Sequence, residues 1–292
     1  MRFLDEQTVM GRMRNRIMKN KIFKMAFFAA TMFGLLVLAI LLYRIFSQGM
    51  NHLDGSFFQH FASRRPEEAG VKAALTGTVW LMIIVAPVSI ILGVGTALYL
   101  EEYAGENKFT SFIKLNISNL AGVPSIVFGL LGLTIFVRAL ALGNSIIAAG
   151  LTMSLLVLPV IIVSAQEAIR AVPKEWKEAS YGMGATKWQT IVKVVLPAAV
   201  PGIATGSILA LSRAIGETAP LLVLGIPMFI AFLPKGIFDT FTVLPMQIYN
   251  WTSRPQAEFQ NVAASGIIVL LALLIIMNSV AVLIRNKYEK RY

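Results

Sequence analysis

The chain has 292 residues, of which 57% are hydrophobic and only 14% charged, with a formal net charge of +11 at neutral pH. Ordinary soluble domains carry about a quarter charged residues, and a soluble chain of this length needs more polar surface than this to cover its core. The composition excludes a soluble globular enzyme, and the basic residues lie in separate stretches rather than in the single patch a nucleic-acid-binding domain needs.

In chain order, the first predicted element is the apolar run 25–43, interrupted only by Thr31 and Gly34. About twenty helical residues cross a ~30 Å hydrocarbon core, so this run is long enough to span. It follows a basic stretch, but it is longer than a signal-peptide core and no small-x-small cleavage site follows, so it reads as an uncleaved anchor. A nearly neutral loop, 47–71, holds His52 and His60, neither with a partner at metal-ligand spacing. Further apolar runs cover 73–100, 117–142, 145–165, 198–232 and 262–284. Pro124 and Pro159 lie inside two of them and are expected to kink their helices. The run 198–232 is too long for one crossing and predicts a helix followed by a turn near Gly225, Ile226 and Pro227. The pattern amounts to an all-α integral membrane protein of about six transmembrane helices.

Charge asymmetry sets the expected orientation. Basic residues crowd the N-terminal tail (Arg12, Arg14, Arg16, Lys19, Lys21, Lys24), the stretch 170–193 and the tail 285–291, whereas the loops 47–71 and 235–261 are nearly neutral. By the positive-inside rule both termini and the 170–193 loop are cytoplasmic, which an even number of spans requires. The loop 101–114 is not basic and follows by parity alone. Phe238, Phe241, Tyr249 and Trp251, in the outer stretch 234–260, suit interfacial anchors or a surface for an external partner. The organisation expected is a tail, first span and outer loop over 1–70, a core over 71–284 containing the loop 170–193, and a basic tail over 285–292.

The 170–193 loop has internal structure. Pro173 suits a helix's first turn. Val172, Trp176, Ala179 and Met183 then recur at helical spacing, with Lys174, Lys177, Glu178 and Tyr181 towards the other side. Gly182 and Gly184 break that helix. Thr186 and Gln189 form a Ser/Thr-x-x-Glu/Gln capping box that starts the next one. Such a knob either lies on the membrane surface or docks into a groove on a soluble partner.

On the fifth run, Gly202, Gly206, Leu209, Arg213, Gly216, Glu217 and Pro220 fall within a sector of roughly 100° at helical spacing. Gly202 and Gly206 form a small-xxx-small pair that lets another helix approach. Arg213 is expected about midway across, with Glu217 one turn further out. A charge there costs on the order of 2.5–3.5 kcal/mol by insertion scales and belongs inside a bundle or beside water. Two roles stay open for the pair: an i,i+4 ion pair locking helices together, or an anion-coordinating arginine held by its glutamate. Guanidinium suits an oxyanion because its planar donors match two oxygens and it stays charged. Arg138, near the outer end of the third span, suits an interfacial anchor or a guide for an incoming anion.

No Walker A sequence, no Gly-x-Ser-x-Gly and no cysteine occurs, so neither a nucleotide site of P-loop type nor a thiol nucleophile is expected on this chain.

Glu178-Ala179-Ser180, then Gly184, then Ile191 and Leu196-Pro197 resemble the EAA loop of binding-protein-dependent ABC permeases, with Ser180 where that family usually has alanine. The stretches 119–130, 213–222 and 244–251 are similar to the PstA-type permeases of phosphate ABC importers, whose sister PstC type reads Gly-Glu-Thr-Met-Ala where this chain has Gly216-Glu-Thr-Ala-Pro220. The likeness runs from about residue 70 to the C-terminus. It implies a type I, MetI-like permease fold in the cytoplasmic (inner) membrane and a heterodimer with a sister permease. It further implies two cytoplasmic ATPases using ATP and Mg, an external phosphate-binding protein, and no cofactor or metal on this chain. The same likeness implies a phosphate path including Arg213, Glu217 and Arg138, helix packing along it at Gly202, Gly206 and Gly216, and ATPase coupling through Trp176, Glu178, Ala179, Ser180 and Gly184. Other readings are a permease of the same superfamily for another oxyanion such as phosphonate, a sister-type phosphate permease, an ATPase-independent secondary transporter, and a membrane sensor.

Overall fold

The computed structural model of the chain describes residues 6–288. Residues 1–5, residues 289–292 with Arg291, and the side chains of Arg12 and Arg14 lie outside the description. Among the described residues all regular structure is helical.

The first helix, α1 (Glu6–Gly49), has 44 residues, so the basic stretch is part of the helix and not a tail before it. Lysine and arginine are good helix formers, and nothing in 6–24 breaks the turn. Its residues 16–41 are exposed throughout, Leu42, Ile45 and Gln48 are half-buried and Gly49 is buried, and it packs on α12 (Glu258–Tyr288), where a Cβ on Gly49 would meet Ile268. The Asp54 carboxylate caps α2 (Gly55–Gln59) by accepting from the Phe57 N–H at 2.9 Å. Then come α3 (Lys72–Leu98), which runs on as a π-helical turn Tyr99–Tyr103, and α4 (Lys108–Leu120). α5 (Ser125–Gly132) is likewise extended by a π-helical stretch Leu133–Ala139, and α6 spans Ile146–Arg170. Among the described residues five helical spans are long and apolar enough to cross a membrane, and the bent pair of α4 with α5 and its extension, taken as one broken span, makes six. The count matches the apolar runs.

Two spans differ from their sequence reading. The run 117–142 is not one helix kinked at Pro124. It bends by 105° between α4 and α5. Proline supplies no N–H, and it pushes Val123 out of the helical region, so α5 restarts with Pro124 as its N-cap. Pro159, by contrast, sits inside α6, which continues through it.

The other difference lies in the fifth run. After α7 (Lys174–Gly182), α8 (Lys187–Thr190) and a π-helical turn Ile191–Val195, the helix α9 (Leu196–Gly216) stops at Gly216. Glu217 is extended (φ −76°, ψ 125°), and a short α10 (Ala219–Val223) follows. Pro220 cannot return a hydrogen bond to the end of α9, so the chain turns there. The turn expected near Gly225 is present as well, with φ +77° at that glycine.

The core lies between α3 and α6, which interlock through reciprocal glycine contacts. A Cβ on Gly93 would sit 2.6 Å from Ile161 Cγ2, and one on Gly150 would sit 2.6 Å from Ile84 Cγ2. In lipid, where helices gain little from hydrophobic burial, this close approach is what holds a bundle together. A second cluster gathers Phe57, Val71, Leu244, Trp251 and Phe259, with α11 (Leu244–Thr252) at its centre. Phe241 and Trp251 are fully buried, so neither is an interfacial anchor, while Phe238 and Tyr249 are exposed.

Candidate functional site

Arg213 lies in the last turn of α9, not midway along it, and Glu217 lies just beyond the helix end. The two still meet, with Arg213 Nε 3.5 Å from Glu217 Oε1. The contact is a loose one. The arginine side chain is 69% exposed, the glutamate 20%, and the guanidinium makes no hydrogen bond among the described residues. Both line a narrow recess whose walls are Leu120, Ala121 and Val123 from the bend and Val157 and Val160 from α6. Apolar walls hold water away, which strengthens any charge interaction at the rim. Among the described residues, Arg213 and Glu217 are the only charged groups lining this recess.

Packing positions this corner. A Cβ on Gly129 of α5 would fall 2.8 Å from Pro220 Cα and 3.0 Å from Val223 Cβ, so α10 lies directly on α5. On its other side, Gly132 admits Thr152 of α6, where a Cβ would come within 2.1 Å of Oγ1. The α5 arm is thus wedged between α6 and α10.

The residues read as one face of the fifth span divide in two. Gly202 and Gly206 pack against α6, where a Cβ would meet Ala168 Cβ at 2.8 Å and Ser164 Oγ at 2.3 Å. Leu209 and Arg213 are exposed, and Gly216 has open space around it. Pro220 belongs to α10. Arg138 is exposed at the end of the π-helical stretch Leu133–Ala139 and is absent from the recess walls.

The second candidate region is the α7 knob. The apolar stripe divides: Val172 is buried, whereas Trp176 is 40% exposed and Met183 88%, and Ala179 and Glu178 are exposed. Trp176, Ala179 and Met183 line an open groove whose other wall is Lys193, Val194 and Ala198. The inward side carries Ser180, whose Oγ lies 2.9 Å from Thr190 Oγ1. The serine that departs from the alanine pattern therefore ties the two sides of the elbow together. Gly182 ends α7, and Gly184 makes the turn at φ +82°. Gly184 N–H donates to Tyr181 O and Ala185 N–H to Ser180 O, the paired bonds of a Schellman C-cap. No side chain crowds a Cβ at Gly184, so its backbone angle is what requires glycine. The Thr186–Gln189 capping box is formed in full.

Sequence reasoning missed the polar joint at the end of α3. Glu101 accepts from Arg170 Nε and Nη2 and from Gln166 Nε2, each at 2.8 Å, and pairs with Lys114 at 3.0 Å. Glu102 pairs with Lys177 of α7. The signal was two adjacent acids closing an apolar run in a chain whose 170–193 loop is basic. Also unread were contacts of α9 with α12, namely Ser212 with Asn278 and Arg285 with Thr205.

Apolar spans around a glycine-interlocked core, with a charged recess and a projecting helical knob, define an α-helical multi-pass membrane protein. The profile of the "Binding-protein-dependent transport system inner membrane component" family matches residues 89–290, and the chain belongs to that family. Among its relatives, a probable ABC transporter permease protein, YqgI, of Bacillus subtilis is 34% identical and covers 84% of this chain and 89% of its own length. The phosphate transport system permease protein PstA of Mycobacterium leprae is 42% identical over 71% of this chain and 69% of its own. PstA 1 of Mycobacterium tuberculosis is 34% identical over 88% and 85%.

Solved structures share the fold. The MetNI methionine ABC transporter in an inward-facing conformation aligns with TM-score 0.58 at 16% identity, covering 75% of this chain and 96% of that one. A bacterial ABC transporter involved in alginate import aligns with TM-score 0.61 at 15% identity, covering 94% and 100%. The chain is a transport subunit with the permease fold of ABC importers.

Proposed function

We propose that this chain is one permease subunit of an ATP-driven phosphate importer of the inner membrane, with its termini and the α7 knob on the cytoplasmic side. The observation that carries the reading is Arg213, loosely paired at the mouth of an apolar recess formed by a broken span. A guanidinium committed to one long contact keeps its other donors for a ligand, and a fork of N–H groups matches two phosphate oxygens. Glu217 holds the arginine in place and leaves the site less attractive to anions when empty. The names of the relatives, several of them phosphate transport permeases, support the choice of substrate.

In this scheme an external binding protein delivers phosphate to a cavity shared with a sister permease. ATP and Mg are used on two separate ATPase subunits that receive the exposed Trp176–Met183 stripe, and this chain binds no cofactor of its own. Closure of the ATPases moves α7 and exchanges outward-open for inward-open states. The ligand shifts that equilibrium only by its difference in affinity for the two states.

The test is phosphate uptake into proteoliposomes containing the whole complex, wild type against Arg213→Gln at matched protein. Charged hydrogen bonds contribute about 1.5–3 kcal/mol, so uptake is expected to fall about tenfold to a hundredfold while the ATPases still co-purify. Unchanged uptake removes Arg213 from the path. Stronger competition by phosphonate than by phosphate reassigns the substrate.

A further inference from the structure

Three consecutive residues at the end of α3 hold four other elements. Glu101 takes the bidentate guanidinium of Arg170 and the amide of Gln166 from α6, and Lys114 from α4. Glu102 takes Lys177 from α7. The ring of Tyr103 lies under Lys187 of α8, 4.9 Å from its Nζ to the centroid. Successive side chains on a helix point about 100° apart, so three neighbours in sequence reach separate partners. Both carboxylates are well buried, 10% exposed at Glu101 and 7% at Glu102.

The geometry connects the two candidate regions. The Ser180–Thr190 hydroxyl contact ties α7 to its sequence neighbour α8, whereas Lys177–Glu102 joins it to α3. From there Glu101 reaches Lys114, and α4 carries that residue less than two turns before Leu120 and Ala121, which wall the Arg213 recess. We propose that Glu101 and Glu102 are positioning residues that carry displacement of α7 through α3 and α4 to the bend beside Arg213. The proposal rests on the reading of α7 as the ATPase-docking element. A chain of contacts becomes a coupling path only when breaking it changes coupling, and this one can be broken by a single neutralised carboxylate.

The experiment uses the whole complex in proteoliposomes and records ATPase co-purification, ATP hydrolysis and phosphate uptake. Glu102→Gln is expected to retain the ATPases and their hydrolysis while phosphate moved per ATP falls about fivefold or more, the lower end of ordinary allosteric coupling. The exchange Glu102→Lys with Lys177→Glu is expected to restore the ratio, which a residue needed only for folding would not do. Glu101→Gln is expected to lower the ratio as well. An unchanged ratio in both single variants, a proportional loss of hydrolysis and uptake, loss of the ATPases from Glu102→Gln, or failure of the exchange to rescue overturns the proposal. Gly184→Val separates it from the underlying reading. If that variant keeps its ATPases and normal uptake, docking through α7 falls and the joint falls with it. If Gly184→Val loses the ATPases while Glu102→Gln keeps its ratio, the joint alone falls.

Discussion

The Arg213 corner and the Glu101–Tyr103 joint both place arginine against glutamate, and they do so in opposite ways. At the joint, Arg170 presents two donors to Glu101 at 2.8 Å, and the same carboxylate is shared with Gln166 and Lys114. At the corner, Arg213 makes one contact of 3.5 Å and leaves its other donors open. A charge satisfied within its own chain has little left for a ligand, and it serves by holding elements in register. A charge satisfied only in part is available to something that arrives. The contrast separates binding from transmission where composition alone treats both as ion pairs.

The largest expected effect comes from dismantling one side of the comparison. Gly129→Leu has no room against Pro220 and Val223, so α10 must leave α5. Overpacking of this kind costs typically about 1–3 kcal/mol, and here it removes the recess wall. The thermal midpoint in detergent should drop and uptake should be lost. A variant with normal uptake would mean that the corner can be rebuilt without its packing.

Arginine-to-lysine exchange tests the contrast at both ends. Arg213→Lys keeps the charge and loses the fork, so uptake should fall roughly tenfold with stability unchanged, corresponding to about 1.4 kcal/mol of lost binding. Arg170→Lys should leave phosphate affinity unchanged and lower stability by less than about 1 kcal/mol, since that arginine is about half exposed and such pairs are worth little. If the two variants exchange phenotypes, the assignment of binding and holding roles is reversed.

A smaller effect is expected in the elbow. Thr190→Val strands the buried Ser180 hydroxyl and should cost about 1–2 kcal/mol, whereas Ser180→Ala with Thr190→Val removes both partners and should be close to neutral. Chemical denaturation of the detergent-solubilised chain measures both. Equal costs would show that the hydroxyl pair does not bind the elbow together.

Much of this architecture was legible beforehand, for physical reasons. Apolar run lengths give six crossings because lipid admits few alternatives. The capping box at Thr186 and the glycine at 184 are local chemistry, and local chemistry reads directly. What failed depended on where helices stop. Arg213 and Glu217 stand at the i,i+4 spacing of a continuing helix, yet Pro220 further on ends α9 at Gly216. Pro124 reads as a kink, but with Gly122 in the same break it becomes a 105° bend. The outward direction of the Trp176–Met183 stripe was equally hidden, because an apolar stripe in a loop looks the same whether it faces its own chain or another. The two acids of the joint stand out in sequence, but their partners do not, because Glu101 and Arg170 are far apart in sequence and meet only once α3 and α6 have interlocked.

The seating of α1 has a mechanical consequence. With 44 residues at about 1.5 Å each it is roughly 66 Å long, and its foothold is a spot where Gly49 has no room for a side chain against Ala264, Ser265 and Ile268. Ser265 adds one hydrogen bond to the Gly49 carbonyl at 2.7 Å. A rod pinned at one end is a lever. A tilt of ten degrees at that pivot sweeps the far end through about 11 Å, so a small adjustment where α1 packs on α12 becomes a large displacement at its other end.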